Sequence, residues 1–468
     1  MLSWSVTRNA CDYPLLFPPL SKAEETVISA ISKLFVESTN KEQSNANRNK
    51  TIRTLLEGYC KINQIDLDPS QSNYLVRYID SNVAGFCGLD ELFENDELEE
   101  IALIGIDKPV YVYHTKYGWL RTNLYFRNEE GATNIINKIA RSLGRRITYQ
   151  EPKLNAVLPD GSRLHASIPP ISNVELTVRK FRKNPLTISN LLNSSVYSAE
   201  QLAFLSIVFQ LDYNTIIAGN TASGKSSTLN SLFSFVPLND RIVIIEETPE
   251  INIPHAHKVK LLSNANLSIS MQHLVEDSLR MRPDRIVIGE VRTKEEIDAL
   301  ISTILSGQAR GSYATFHARS SEEVVKRFIS QGVLSIDVGS LDYIIVQRRI
   351  LRYDRLTRRS WEERRCTEIA EVVGNEPTIN KIFTFSESNS KIIGSISRST
   401  KLEEIADKLS ISNSELFDEL SQREQFIINL SKRQLTFEET ISELQTFLFS
   451  PTKEQPRIME GKNVQKRQ

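Results

Sequence analysis

Asn214-Thr-Ile-Ile-Ala-Gly-Asn-Thr-Ala-Ser-Gly-Lys-Ser-Ser227 decides how this chain is read. Within it, Gly219–Ser226 fits GxxxxGK followed by Ser or Thr. The context carries more than the string: the β-run NTIIA precedes the loop directly, and the helix-like STLNSLFSF follows it. Such a loop wraps phosphates with backbone N–H groups at a helix N-terminus, where the helix dipole favours anions. Gly219 and Gly224 permit the turn and the close approach, and Asn220, Thr221, Ala222, Ser223, Lys225, Ser226 and Ser227 complete the cradle. Lys225 is placed to reach the β/γ-phosphates of ATP, and the Ser226 hydroxyl to hold Mg²⁺. A Gly/Ser loop without this chemistry has no need of a strand before it and a helix after it.

Downstream, RIVIIEETPEI sets Glu246, Glu247 and Glu250 just past a strongly β-forming run. In an open parallel sheet the carboxyl ends of the strands face the ligand crevice. Acids there bind Mg²⁺, directly or through water, or orient an attacking water. Alone, the cluster reads as a solvated turn; beside a phosphate loop it reads as part of the site. The next apolar run, RIVIGEVR, ends in Gly289-Glu290, which puts Glu290 beside metal and water. Asp284 lies at the other end of that strand and reads as structural.

Outward from this core, β-runs at Thr215–Ala218, Arg241–Ile245, Arg285–Ile288, Tyr313–Phe316 and Tyr343–Gln347 alternate with helical patterns, as in a parallel sheet with crossover helices. Upstream, Ser21–Phe35 has helical spacing, residues 37–50 are almost devoid of apolar side chains and read as a linker, and Ile52–Ile79 is helical with a break at Pro69. Leu98–Phe126 is β-rich, Ala132–Leu143 helical, and NAVLPDGSRLHASIPP and VELTVRKF are two further strands. After Ser399 the pattern is helical. The expected division is a helical segment and linker at 1–51, an α+β domain at 52–183, a linker at 184–198, an ATPase domain at 199–374, a helical module at 375–450 and a disordered tail at 451–468.

The balance of 57 Lys+Arg against 58 Asp+Glu gives a net charge of −1 in 468 residues, which argues against a chain that coats nucleic acid or an acidic membrane by bulk charge. No run reaches 18 uncharged apolar residues, so no membrane-spanning helix is expected. Cys11, Cys60, Cys87 and Cys366 are far apart, which argues against a disulfide framework or a zinc site.

Four blocks in order resemble the secretion-type ATPase superfamily, which comprises the type II and type IV secretion, type IV pilus and archaellum motors. They are GNTASGKS, IIEETPEI, RPDRIVIGEVR and SGQARGSYATFHA. LPDGSRLHASIPP and ELTVRKFRKNPLT resemble the segment that precedes the motor in that family, and KPVYVYHTKYGWLRTN resembles its archaeal secretion and pilus-assembly members. The resemblance covers roughly residues 75–375. It implies an α/β fold: a RecA-like P-loop motor domain with a parallel central sheet, an α+β N-terminal domain before it and a small helical region after it. It implies Glu250 as general base, Glu246 and Glu247 in support of water or metal, Glu290 as the acid beside the metal, and His317 as sensor of the nucleotide state. Arg163 and Arg179 match arginines brought from the N-terminal domain onto the phosphates. It further implies a homo-hexamer that hydrolyses ATP with Mg²⁺ and drives a polytopic membrane platform protein from the cytoplasmic face, for secretion or for a pilus or archaellum filament.

The chain departs from the family in two places. Gln308 follows Gly307 where many members have Gly-His, and the four-cysteine zinc module is absent, with no cysteine between Cys87 and Cys366. Gln308 keeps open a catalytically weak regulatory ring, and the shared core keeps open a nucleic-acid motor. Nucleic acid is not the expected partner. KLEEIADKLSISNSELFDEL has the look of a helix-turn-helix, but Glu415, Asp418 and Glu419 on its second helix oppose phosphate binding, so it reads as a small helical packing or docking module. His255 and His257 alternate as a weak candidate for a metal pair. The eight arginines of 348–365 read as a solvated face, with an acidic partner surface or a subunit contact as the alternative.

Overall fold

A computed structural model describes residues 2–7, 11–38, 45–141, 143–181, 184–264 and 267–450. The tail expected at 451–468 lies outside them. The chain divides into two compact units, 1–183 and 184–468.

The first unit runs β1 (Trp4–Val6), α1 (Lys22–Ser38), α2 (Asn45–Ile62), α3 (Pro69–Val83), α4 (Leu89–Glu94), β2 (Leu98–Leu103), β3 (Pro109–His114), β4 (Gly118–Phe126), α5 (Glu129–Arg141), β5 (Lys153–Val157), β6 (Arg163–Ser167) and β7 (Glu175–Arg179). Its described strands form one antiparallel sheet in the order β1-β4-β3-β2-β7-β6-β5. Two expectations are corrected here. Residues 1–51 are not a separate segment: Trp4 pairs with Phe126 in the sheet, and Trp4, Val27, Ile28 and Ile31 share one core with Ile101 and Val112. Nor is 37–50 a linker throughout, because α2 starts at Asn45 and Arg48 holds Asp80 of α3 at 2.5 Å. Tertiary packing overrides the polar composition of that turn. The expected interruption at Pro69 is present: α2 ends at Ile62 and α3 begins at Pro69. Pro69 occupies the first turn of α3, where its missing N–H costs nothing, and Asp68 caps the helix in a capping box with Gln71.

The second unit runs α6 (Ile188–Asn193), α7 (Ala199–Gln210), β8 (Thr215–Gly219), α8 (Lys225–Leu232), β9 (Ile242–Glu246), β10 (Lys258–Leu262), α9 (Met271–Ser278), β11 (Arg285–Val291), α10 (Lys294–Ser306), β12 (Gly311–Phe316), α11 (Ser321–Ser330), α12 (Ser335–Val338), β13 (Tyr343–Asp354), β14 (Arg359–Val373), β15 (Thr378–Ser386), β16 (Lys391–Gly394), α13 (Leu402–Leu409), α14 (Asn413–Ser431) and α15 (Phe437–Phe449). The sheet order is β10-β9-β11-β12-β8-β13-β14-β15-β16, parallel through β13 and antiparallel after it. Buried on both faces, the inner parallel strands read as near-continuous apolar runs, IVII and TIIA among them, while the edge strand β10 (KVKLL) is only partly covered. One core packs α7, α8 and α14 against one face; the other packs α9, α10 and α11 against the opposite face.

Residues 375–450 are therefore not wholly helical, because β15 and β16 extend the sheet before α13 begins. Residues 184–198 hold α6, whose Ile188 and Leu191 are buried in the core, rather than a free linker. The second helix of the helix-turn-helix look-alike is α14. It buries Leu416, Leu420, Ile427 and Leu430, and its buried Arg423 donates to Ser206 Oγ at 2.9 Å and Gln210 Oε1 at 2.7 Å of α7. That face is spent on packing. At the far end of the sheet from the phosphate loop, Arg285 is fully buried between Asp212 and Asp240 and donates to Phe209 O at 2.7 Å. Asp284 there accepts the Arg241 N–H at 2.7 Å, a structural contact.

Candidate functional site

β8 lies between β12 and β13, and at its carboxyl end the chain turns through Asn220–Ser223 into α8. Gly224 caps α8 with φ +96°, and Ala222 is also left-handed at φ +59°. Gly219 is needed for closeness: a Cβ there would lie 2.1 Å from the backbone oxygen of Gln347 on β13. The 219–226 loop therefore sits against a neighbouring strand with no room for a side chain at its base, and α8 presents its N-terminus beyond it.

Lys225 is 8% exposed, and its Nζ donates to Gly219 O at 3.2 Å and Asn220 O at 3.3 Å. Ser226 Oγ donates to Glu250 Oε2 at 2.6 Å. Thr221 and Ser223 lie in the loop turn, Ser223 fully buried, and Ser227 lies in the first turn of α8. Thr228 Oγ1 donates to Gln347 Oε1 at 2.5 Å, which ties α8 to β13.

The acids divide by burial. Glu246 is 1% exposed and its Oε1 accepts the N–H groups of Glu250 at 2.6 Å and Ile251 at 2.7 Å. Its other oxygen is buried without a hydrogen-bond partner. Burial drives its pKa up to about 7 in spite of the two donors. Glu246, expected among the metal-supporting acids, thus shapes the 246–251 turn and carries Glu250 to Ser226. Glu247 points outward and pairs with Arg292 Nη1 at 2.6 Å.

Glu290 follows Gly289 in β11, where the ladder with β12 shifts register between Ile288 and Val291. It pairs with Arg292 on one side and with His317 Nε2 at 2.5 Å on the other. Burial opposes its ionised form, but the Arg292 guanidinium, His317 and Lys225 outweigh that and hold its pKa below the usual carboxylate value. Burial and the Lys225 charge draw His317 below the ordinary imidazole value. A neutral ring therefore donates its Nε2–H to an ionised Glu290. Thr315 Oγ1 donates to Gly289 O at 2.6 Å and fixes the strand end.

The structure thus brings Lys225, Ser226, Glu250, Glu290 and His317 to one end of one sheet. Gln308 lies at the opposite end of β12 from His317 and is exposed. Arg163 and Arg179 belong to the first unit, where they are register partners on β6 and β7; Arg179 is exposed and Glu100 is its partner on the other side. The His255–His257 pair does not form a metal site. His255 is buried with Nε2 3.1 Å from Pro237 O, while His257 is exposed with Nε2 2.9 Å from Arg241. Arg292 and Gln347, which touch the site, carry no role in the sequence reading, and Arg364, counted there in a solvated arginine-rich face, donates to Ala222 O of the loop. Gln347 carried a signal, a polar residue ending the buried run YIIV.

Ser226 and Glu290 offer hard oxygen donors that suit Mg²⁺, an ion bound through few protein ligands together with substrate phosphates. No cluster of three or more His, Cys, Asp or Glu around a metal position occurs among the described residues.

Residues 107–424 match the family model described as type II/IV secretion system protein. An uncharacterised protein of Methanocaldococcus jannaschii is 40% identical over 250 residues, which cover 49% of this chain and 34% of that protein. The type IV secretion system protein VirB11 of Bartonella quintana is 27% identical over 244 residues, covering 44% of this chain and 68% of its own. The X-ray structure of the Legionella pneumophila ATPase DotB, 16% identical, covers 75% of this chain and 93% of its own with a TM-score of 0.45. The chain spans about a third of the length of the first of these relatives.

Proposed function

Because the chain belongs to the type II/IV secretion system protein family, we propose that it is an ATP-hydrolysing motor that powers protein secretion or assembly of a pilus-like or archaellum filament. The observation that carries this reading is the Ser226–Glu250 contact of 2.6 Å at the N-terminus of α8, beside the buried Lys225. In this reading Gly219–Ser227 cradle the phosphates and Lys225 neutralises charge that develops on them. Ser226 would hold Mg²⁺, which when bound would supply further charge neutralisation at the phosphate oxygens. Glu250 orients the attacking water and takes its proton. Glu290 stays ionised between Arg292 and His317 and faces the metal side of the site. His317 reads the nucleotide state through its bond to Glu290. Glu246 acts one step back, by fixing the turn that carries Glu250.

Arg163 and Arg179 supply guanidinium groups to the phosphates when the two units close, which links hydrolysis to movement. The working form is a homo-hexamer at the cytoplasmic face of the membrane, docked on a polytopic platform protein. No helix among the described residues is long and apolar enough to cross a membrane itself. Nucleic acid and a zinc module have no part in this reading.

Lys225→Ala keeps the loop backbone and removes the charge on the phosphates, so turnover should fall about 10²-fold or more with the thermal transition unchanged. A folded Lys225→Ala protein that hydrolyses ATP at the wild-type rate defeats the assignment.

A further inference from the structure

The site described so far holds phosphates and leaves the nucleoside without a surface. β8 has two neighbours: β12, which leads to His317, and β13, which runs on past the loop and pairs with β14 as a long hairpin. Side-chain parity tells which face of that hairpin the loop meets. Tyr343, Ile345 and the core residues Leu229 and Leu232 of α8 belong to one cluster, whereas Ile344 and Val346 belong to the cluster on the other face. Gln347 extends the first set, since it bonds Thr228 of α8. Alternation then places Arg349, Leu351 and Tyr353 on the α8 face. The ladder sets Arg364, Glu362 and Ser360 opposite these three, on the same face.

The phosphate loop is bound to this face. Asn220 Oδ1 accepts the Arg349 N–H at 3.0 Å, and Asn220 Nδ2 donates to Arg349 O at 3.4 Å. Arg364 Nε donates to Ala222 O at 3.0 Å. Immediately beyond, Leu351 is 68% exposed and Tyr353 61% exposed. Two residues of strand cover about 7 Å, so Leu351 and then Tyr353 follow the loop at steps about the size of a sugar or a base. Large apolar side chains at consecutive positions of one solvent-facing strand face are unusual, because such a face ordinarily carries polar residues. Here they continue directly from a phosphate cradle.

We propose that Leu351 and Tyr353 form the base-binding shelf of the nucleotide site, on which the purine of a nucleoside triphosphate stacks while its phosphates lie in the 219–226 loop. The proposal rests on the phosphate-loop reading and names the part of the ligand that reading leaves unassigned. The planar tyrosine ring offers a stacking face and the leucine an apolar contact for a base. The Asn220 and Arg364 ties keep shelf and loop in register.

The test uses calorimetric binding to the full chain with two Mg²⁺-loaded probes: a non-hydrolysable ATP analogue, and inorganic tripolyphosphate, which has no base. The variants are Leu351→Ala, Tyr353→Ala and the pair together, with Trp361→Ala as control. Trp361 sits opposite Arg352, on the other face of the hairpin. All three positions are solvent-exposed, so folding should be retained, as thermal melts will check. The double variant is expected to bind the ATP analogue at least about tenfold more weakly and tripolyphosphate as the wild type does. Tyr353→Trp should keep analogue affinity and show fluorescence quenching by the analogue but not by tripolyphosphate. Unchanged analogue affinity in the double variant, or an equal loss for both probes, overturns the shelf while leaving the phosphate loop standing. A wild-type chain that binds neither probe overturns the parent reading, and the shelf with it.

Discussion

Glu246 is a carboxyl held where a carboxylate is costly, and its titration is measurable. Its ordinary pKa is 4.5 and burial lifts it to about 7 in the folded chain. Between these values the folded state holds one proton more than the unfolded state. Stability from this group is therefore full below pH 4.5 and is lost as pH rises to about 7. Glu246→Gln keeps an acceptor for the Glu250 and Ile251 N–H groups and removes the charge. Its melting temperature should match the wild type near pH 5 and exceed it at pH 8, by the equivalent of about 3 kcal/mol at most. Parallel melting curves across that range would show that Glu246 is not the titrating group. The sequence put three acids after one β-run but did not say which faces inward. What turns Glu246 in is a neighbour 43 positions away: a Cβ at Gly289 would lie 2.8 Å from Glu246 Cγ, so the bare glycine makes the room. Such a non-local contact has no local signature. The same holds for Arg292, whose position in RIVIGEVR says nothing of its reach to both Glu247 and Glu290.

The elements that local chemistry specifies were legible. The loop between β8 and α8 follows from its glycines and its flanks, and the apolar runs Thr215–Ala218, Arg285–Ile288 and Tyr313–Phe316 lie within β8, β11 and β12. The antiparallel extension was not legible. The stretch from Arg348 to Arg365 is crowded with charge and reads as surface, yet it forms most of a hairpin. Ion pairs such as Arg352 Nε–Glu363 Oε1 at 2.5 Å support strands whose faces are only partly covered. Gly219 tests how tightly this hairpin constrains the loop. Its missing Cβ would lie 2.1 Å from Gln347 O and 2.6 Å from Ser223 Oγ. β13 cannot retreat, because it is paired with β14 on its other side. Gly219→Ala should therefore destabilise the fold by about 1–3 kcal/mol and weaken nucleotide binding. Gly58→Ala in α2, where nothing lies within 4 Å of the new Cβ, should instead stabilise by up to about 1 kcal/mol. Equal shifts in the two denaturation curves would mean that β8 and β13 separate freely.

At the scale of the molecule, the second unit carries Lys225, Ser226, Glu250, Glu290 and His317 on its own cores, including the C-terminal helices that bury Leu416, Leu420 and Leu444. A piece comprising residues 184–450 should accordingly fold and bind Mg²⁺ with an ATP analogue. A shorter piece ending at 374 loses α14 from the α7 face and should unfold more readily. The arginines implied by the family resemblance are on the other unit, where Arg179 stands in the ladder between Arg163 and Glu100. As a surface residue beside an acid, Arg179 would be worth about 0–1 kcal/mol and could be removed without consequence. As a guanidinium supplied to the phosphates during hydrolysis, it stabilises charge that develops only in the transition state. Arg179→Ala should then lower turnover about 10²-fold or more with analogue affinity little changed. Arg179→Lys should recover only part of the loss, because an ammonium lacks the planar two-pronged donor. The 184–450 piece should bind the analogue and hydrolyse ATP poorly for the same reason. Full turnover by that piece, or by Arg179→Ala, would show that hydrolysis needs nothing from the first unit, and the link between chemistry and movement would have to run through another contact.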